Sequence, residues 1–125
     1  MESQFKNKTF ADSFKNAFNG IRASIHSERN MIVHLLASVL VVLAGIILRI
    51  DLVRWISLAL VIGLVLISEL LNTAIEKLTD MVTGEYSEEA KKIKDIGAAA
   101  VLVSAIVSVI VGILIFFRPL KDFFF

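Results

Sequence analysis

The chain has 125 residues, of which 57% are hydrophobic, and its mean hydropathy is +0.80. An ordinary soluble domain is about 45–50% apolar, and the apolar residues here form blocks between charged segments, so the composition indicates a membrane protein. The net charge of +1 gives no support for nucleic-acid binding, and the absence of cysteine excludes disulfides, thiol nucleophiles and zinc–cysteine sites.

The first predicted element is an amphipathic surface helix over about residues 8–27. Apolar side chains repeat at helical spacing on one face, and polar side chains cover much of the rest. Such an aromatic-rich stripe suits a helix in the membrane interface, and it could equally pack against the other helices. The stripe consists of Phe10, Phe14, Ala17, Phe18, Ile21 and Ile25.

Three apolar blocks are predicted to cross the membrane as helices, over about residues 30–49, 55–80 and 95–117. The first and third blocks are uncharged for long enough to cross a hydrocarbon core of roughly 30 Å. Arg118 and Pro119 are predicted to end the third helix. The whole chain, 1–125, is thus predicted to be one all-α membrane domain.

The second block is interrupted by an acidic residue. Only 14 residues, Trp55–Ser68, precede Glu69, which is roughly 21 Å of helix and too short to cross. A spanning helix must therefore carry Glu69 into or near the acyl region, where a carboxylate is costly and usually marks a functional site. The alternatives are a buried helix of a soluble domain, or a Glu69 that merely lies at the interface.

The distribution of basic residues predicts the orientation. Lysines and arginines are concentrated before the first block and after the second, which predicts a multi-pass protein of the cell membrane with a cytoplasmic N-terminus and an external C-terminus. A polar loop over Thr83–Asp95 is then predicted to lie in the cytoplasm.

A polar face continues along the second span beyond its acidic residue. At about 100° per residue, five polar side chains share a face about 100° wide, with apolar side chains opposite. Carboxylate and amide oxygens in such a ladder suit Mg²⁺, which binds one or two carboxylates plus substrate phosphates. The five residues are Glu69, Asn72, Thr73, Glu76 and Asp80.

Charged residues from two other segments are predicted to meet this face. Glu28 precedes the first span, and Lys94 and Asp95 precede the third, so bundle packing would bring them to the cytoplasmic end of the face. Carboxylates with a lysine supply what phosphoryl transfer needs, namely metal ligands, a cation and a base, and the deeper Glu69 is the predicted base. The alternative is a solvated helix end and loop.

Other residues carry weaker signals. No glycine-rich phosphate loop and no Ser-His-Asp arrangement is recognisable. His26 and His34 are interpreted as polar packing residues. The small residues Gly97, Ala98 and Ala99 permit close helix approach, either as plain packing or as room for a lipid chain, so Ala98 and Ala99 are candidate lipid contacts.

Two sequence motifs resemble those of a known protein family. They are Glu69-Leu-Leu-Asn72-Thr-Ala-Ile-Glu76, followed by Asp80, and Lys94-Asp95-Ile-Gly-Ala-Ala-Ala-Val101. Together they resemble the small bacterial integral-membrane lipid kinases, the prokaryotic diacylglycerol kinase and undecaprenol kinase family. The resemblance implies a homotrimer with three spans per subunit, an N-terminal surface helix and cytoplasmic-side active sites shared between neighbouring subunits.

The resemblance also implies residue roles. Glu69 would be the catalytic base and contact the lipid, while Glu28 and Glu76 would hold the Mg²⁺ ions that bridge the ATP phosphates. Lys94 would contact the terminal phosphates. Serine stands at 87 where histidine is common, and asparagine stands at 16 where some members have tyrosine. A basic residue that some members have before the surface helix has no clear equivalent near Thr9. The implied ATP-binding residues are Asn16, Glu28, Asn72, Glu76, Glu85, Tyr86, Ser87, Lys94 and Asp95.

The predicted function is ATP-dependent phosphorylation of a membrane lipid alcohol. Residues 14–21 and 28–30, with His34-Leu35, resemble the Gram-positive branch, which is associated with undecaprenol, whereas the Gram-negative branch converts diacylglycerol to phosphatidic acid. Undecaprenol is therefore the favoured acceptor and diacylglycerol the alternative. Two alternatives from other classes are a proton- or cation-conducting oligomer that uses Glu69 and a non-enzymatic subunit whose polar stripe joins helices.

Overall fold

The structure, a computed structural model, describes Lys6 and residues 8–125, and the described residues form four α-helices. Three of these helices are long and apolar enough to cross a membrane, so the prediction of an all-α chain with three such helices is confirmed. The limits of the membrane-crossing parts stay predictions. The helices are α1 (Phe10–Ser27), α2 (Arg29–Ile47), α3 (Leu52–Val82) and α4 (Glu88–Phe124).

Helix α1 begins with a capping box and presents an exposed aromatic stripe. The Thr9 hydroxyl accepts the Asp12 N–H, and the Asp12 carboxylate accepts the Thr9 N–H, each at 3.1 Å, which satisfies two donors that the helix leaves free. The side chains of Phe10, Phe14 and Phe18 are all exposed in the single chain. This exposure favours contact of the three phenylalanines with lipid or with another protein chain. The location of α1 in the membrane interface stays a prediction.

A single extended residue, Glu28, separates α1 from α2. Its backbone, with φ −124° and ψ 114°, ends α1 and begins α2, and its N–H donates to the Ser24 carbonyl at 2.9 Å. The buried Ser24 hydroxyl also hydrogen-bonds the Thr73 hydroxyl of α3 at 3.2 Å. The corner therefore fixes the position of Glu28 relative to α3.

The turn between α2 and α3 has the hydrogen bonds of a Schellman motif. Arg49 adopts a positive φ of 49°, its N–H donates to the Ile46 carbonyl at 3.2 Å, and the Ile50 N–H donates to the Gly45 carbonyl at 3.1 Å. The Asp51 side chain then caps α3 by accepting an N–H of its first turn. The chain reverses here, so α3 runs back beside α2.

Helix α3 packs most closely against α4. A Cβ atom on Gly97 would lie 2.5 Å from Asn72 Oδ1, so this approach requires glycine. Further along, the Ser108 hydroxyl donates to the Val61 carbonyl at 3.3 Å. The small apolar core near the α2–α3 turn consists of Ile50, Leu58, Val61 and Ile115.

Helix α4 is longer at both ends than its apolar block predicts. The predicted polar loop over Thr83–Asp95 is wrong, because α4 begins at Glu88 and only residues 83–87 connect it to α3. The Ser87 hydroxyl caps the helix, and two glutamates in the first turn suit its positive end. The predicted end at Pro119 is also wrong, because α4 continues to Phe124. A proline inside a helix loses its N–H bond and crowds the preceding turn, but its φ of about −65° is still helical.

Candidate active site

The polar face of α3 runs from the interior of the helix bundle to its exposed end. The Glu69 side chain is 1% exposed, Asn72 and Thr73 are buried, Glu76 is half-buried and Asp80 is exposed. The periodicity of the helix puts these residues on one face, and packing by α2 and α4 covers the inner part of it. Glu69 is therefore the deepest of the carboxylates, as the sequence predicts.

The Glu69 carboxylate is buried without a donor. Within the described part of the chain, neither of its oxygens has a hydrogen-bond partner. The carboxylates of Glu28 and Glu76 interact with it unfavourably, and His34 Nε2 lies 3.9 Å from its Oε2 atom. Burying a charged group without donors is costly, and an ionisable residue in such a place is a candidate functional residue.

Asn72 connects the Glu76 carboxylate to α4. Its Nδ2 donates to Glu76 Oε1 at 3.3 Å, which orients that carboxylate. Its Oδ1 is buried beside Gly97 and, among the described residues, accepts no hydrogen bond. The amide therefore leaves a hard oxygen free next to an oriented carboxylate.

The oxygen atoms of this region fit a metal ion that arrives with phosphates. The described residues contain no group of three or more acidic or histidine side chains arranged to hold a metal by themselves. Mg²⁺ usually takes one or two protein carboxylates, several waters and substrate phosphates. Glu76, with the free Oδ1 of Asn72 beside it, and Glu28 at the α1–α2 corner are a donor set of this kind.

Two ion pairs organise the exposed ends of α3 and α4. Lys94 Nζ lies 2.5 Å from Asp80 Oδ1 across the two helices, and Lys91 Nζ lies 2.5 Å from Asp95 Oδ2 within α4. Pairs this exposed contribute little to stability, so their main effect is to orient the side chains. The predicted meeting of Lys94 with Asp80 is confirmed, whereas Asp95 pairs with Lys91.

A polar cavity of about 390 Å³ opens between the ends of α3 and α4 and residues 83–87. Asp80 lines it together with five residues that the family resemblance assigns to ATP. The Tyr86 side chain is 79% exposed, and the Ser87 hydroxyl accepts the Ala90 N–H at 3.0 Å. The five residues are Glu85, Tyr86, Ser87, Lys94 and Asp95.

Seven residues of the predicted site do not line this cavity, and three of them are exposed in the single chain. The seven are Asn16, Glu28, Glu69, Asn72, Glu76, Ala98 and Ala99. Asn16 is exposed on α1, and Ala98 and Ala99 are exposed on α4. None of the three lines the polar cavity or the groove described next. The ATP contact of Asn16 and the lipid contacts of the two alanines stay predictions.

An apolar groove of about 600 Å³ runs along α3 between α2 and α4. The small residues Ala37, Ala105 and Gly112 are among those that line it, and His34 lies at the end nearest Glu69. One of the groove's lining residues, His34, therefore lies next to the buried carboxylate. Sequence reasoning missed this arrangement because it treated His34 as a packing residue, although a histidine within a membrane span is itself a signal of function.

Comparison with known proteins identifies the family. Residues 15–116 match the family of prokaryotic diacylglycerol kinases. The chain belongs to this family. The prediction of a lipid kinase is thereby confirmed, and a kinase uses ATP as its phosphoryl donor.

Three relatives show how far the similarity extends. The chain is 39% identical over 111 residues to an undecaprenol kinase of Bacillus subtilis, which covers 89% of this chain and 90% of that protein. It is 40% identical to a diacylglycerol kinase of Synechocystis sp., over 86% of this chain and 62% of that protein. It is 36% identical to a diacylglycerol kinase of Escherichia coli, over 75% of this chain and 77% of that protein.

Proposed function

We propose that this lipid kinase transfers the terminal phosphoryl group of ATP to the hydroxyl of undecaprenol, with diacylglycerol as the alternative acceptor. The observation that carries the proposal is the location of Glu69. Its buried carboxylate lies 3.9 Å from His34, which lines the apolar groove, and it shares a face of α3 with Asp80, which lines the polar cavity. A lipid alcohol from the groove and a nucleotide from water can meet only at such a boundary.

Glu69 acts as the general base. Its carboxylate takes the proton of the acceptor hydroxyl, and the hydroxyl oxygen forms a bond to the γ-phosphorus. The bond between that phosphorus and the bridging oxygen breaks, and ADP leaves with the electron pair. Neither carboxylate oxygen of Glu69 has a hydrogen-bond partner among the described residues, which supports this role because a base needs a free lone pair.

Glu28 and Glu76 bind Mg²⁺ together with the phosphates. The hydrogen bond from Asn72 to Glu76 at 3.3 Å supports this assignment, because it holds one carboxylate in place before the nucleotide arrives. When bound, the metal neutralises charge on the transferring phosphoryl group.

The polar cavity receives the nucleotide. The Lys94 ammonium contacts the terminal phosphates, and its ion pair with Asp80 at 2.5 Å keeps it at the edge of the cavity. A cation placed in advance stabilises the charge of the transition state without further rearrangement. The remaining contacts are made by Asn16, Asn72, Glu85, Tyr86, Ser87 and Asp95.

The kinase works as a homotrimer in the cell membrane, with shared active sites on the cytoplasmic side. Asn16, Ala98 and Ala99 support this arrangement, since they lie exposed and outside both cavities of one chain. They reach ATP or lipid if a neighbouring subunit completes the site. The exposed phenylalanines of α1 suit a helix in the membrane interface, and the basic residues near the N-terminus suit the cytoplasmic side.

The choice of acceptor rests on two observations. The Bacillus subtilis relative, of which the chain covers 90%, is named undecaprenol kinase. The groove beside Glu69 is lined almost entirely by apolar side chains, which suits a long hydrocarbon chain.

The test is an assay that compares both acceptors. Purified protein in mixed micelles is given labelled ATP with undecaprenol or with diacylglycerol. We expect faster phosphorylation of undecaprenol, and a preference for diacylglycerol would select the alternative acceptor. Phosphorylation of neither lipid, with ATP-independent proton flux across vesicles, would overturn the proposal in favour of the ion-conducting alternative.

A further inference from the structure

His34 is the neighbour of Glu69 that the proposed reaction does not use. Its Nε2 atom lies 3.9 Å from Glu69 Oε2, and across the described residues no other basic side chain comes within ion-pair distance of that carboxylate. The His34 side chain is 23% exposed and lines the apolar groove. It therefore touches both the predicted base and the predicted path of the lipid.

The other polar groups near Glu69 are engaged elsewhere. The Thr73 hydroxyl donates to the Glu69 backbone carbonyl at 2.9 Å, and the Asn72 amide donates to Glu76. The carboxylates of Glu28 and Glu76 carry no donor and interact unfavourably with Glu69. The imidazole of His34 is thus the donor available to orient the Glu69 carboxylate.

We propose that His34 is a positioning residue of the kinase. Its Nε2–H donates a hydrogen bond to Glu69 and holds that carboxylate at the end of the groove, where the acceptor hydroxyl arrives. A small adjustment brings 3.9 Å to a hydrogen-bond distance of about 2.9 Å, and catalytic hydrogen bonds often tighten only when substrate binds. The proposal rests on the proposed function, because it assigns His34 to the same acceptor site.

His34 acts through Glu69 and transfers no proton itself. The neutral imidazole has one N–H and one acceptor nitrogen, so donation from Nε2 leaves Nδ1 as the acceptor. A carboxylate without this donor can still take a proton, but it samples orientations away from the acceptor. Loss of His34 should therefore lower turnover and leave binding of MgATP unchanged.

Three variants test this role in the acceptor assay. His34→Leu removes the donor, and His34→Gln restores an N–H near the same position. Ser57→Ala is the control, because the Ser57 hydroxyl donates only to its own helix, to the Val53 carbonyl at 2.9 Å, and Ser57 lines neither the groove nor the polar cavity. We expect His34→Leu to lower kcat between about tenfold and hundredfold, with KM for MgATP unchanged, and both other variants to stay near the wild type.

The outcomes separate this inference from the proposed function. Wild-type kcat in His34→Leu, or equal losses in His34→Leu and His34→Gln, would overturn the positioning role while the lipid kinase activity stands. A wild-type protein that phosphorylates neither lipid would overturn the proposed function itself. If His34→Leu fails to fold, His34→Asn takes its place, because its amide is too short to reach Glu69 and we expect the same loss of kcat.

Discussion

Helix α3 has two sides that differ in how completely the chain itself covers them. On the side towards α4, the closed side, Gly97 lies against Asn72 and Lys94 pairs across the helices at 2.5 Å. On the side towards α2, the open side, His34 and Glu69 approach only to 3.9 Å. Beside them runs the apolar groove of about 600 Å³.

The closed side and the open side therefore contribute differently to the proposed site. The closed side fixes α3 against α4, so the residues predicted to face the phosphates are in place before a ligand binds. The open side contains a buried carboxylate without a donor among the described residues, and such burial costs stability. Such costs are typical of places where a substrate completes the structure.

The largest expected effect comes from removing the base on the open side. Glu69→Gln keeps the shape of the side chain but cannot accept the hydroxyl proton, so we expect kcat to fall by about 10²–10⁴-fold. Binding of MgATP should persist, because the nucleotide contacts lie towards the exposed end. The measurements are labelled-phosphate transfer and MgATP titration. The control is Glu89→Gln, because Glu89 is exposed and lies outside both cavities. Near-normal activity in Glu69→Gln would remove Glu69 from the mechanism.

The second largest effect is expected from a substitution on the closed side. In Gly97→Ala, the new Cβ atom would lie 2.5 Å from Asn72 Oδ1, so Asn72 must move, and it can no longer orient Glu76 as before. Overpacking of this kind typically costs about 1–3 kcal/mol, and we expect a lower free energy of unfolding and weaker MgATP binding.

Gly63→Ala is the matched control for this substitution. No described atom lies within 4 Å of a Cβ atom at Gly63, so the same added methyl group should leave stability and MgATP affinity close to the wild type. Denaturation in mixed micelles and a MgATP titration compare the two variants. Equal values for both would contradict the assignment of Gly97 to a required close approach.

The smallest expected effect comes from filling the groove. Gly112 lines it, and no described atom lies within 4 Å of a Cβ atom there, so Gly112→Leu adds bulk without a clash inside the chain. We expect kcat/KM for undecaprenol to fall by about tenfold, which corresponds to about 1.4 kcal/mol. A short prenol alcohol should be affected less, because fewer of its atoms need the groove.

Gly63→Leu controls for added bulk outside the groove. The acceptor assay with long and short prenols is the measurement, combined with the size of the protein in detergent. An unchanged preference between the two prenols would exclude the groove as the site of the lipid chain. A change in oligomeric state would instead assign the groove to contact with a neighbouring subunit.

Helical periodicity explains most of what could be predicted. The apolar blocks predict the helices, and the polar face from Glu69 to Asp80 follows from positions that recur on one side of a helix. The approach of Lys94 to this face was predicted from bundle packing, and the structure pairs it with Asp80. The two errors at the ends of α4 have local causes, namely the cap formed by Ser87 and the tolerance of the helix for Pro119.

The sequence by itself determined which residues share a face and how deep each lies, because rise and rotation per residue fix both within one helix. Only the tertiary structure decided that His34 approaches Glu69 and that Gly97 receives Asn72. Contacts between helices depend on where and at what angle the helices cross. That geometry is set by the packing of side chains along the whole bundle, and no short stretch of sequence contains it.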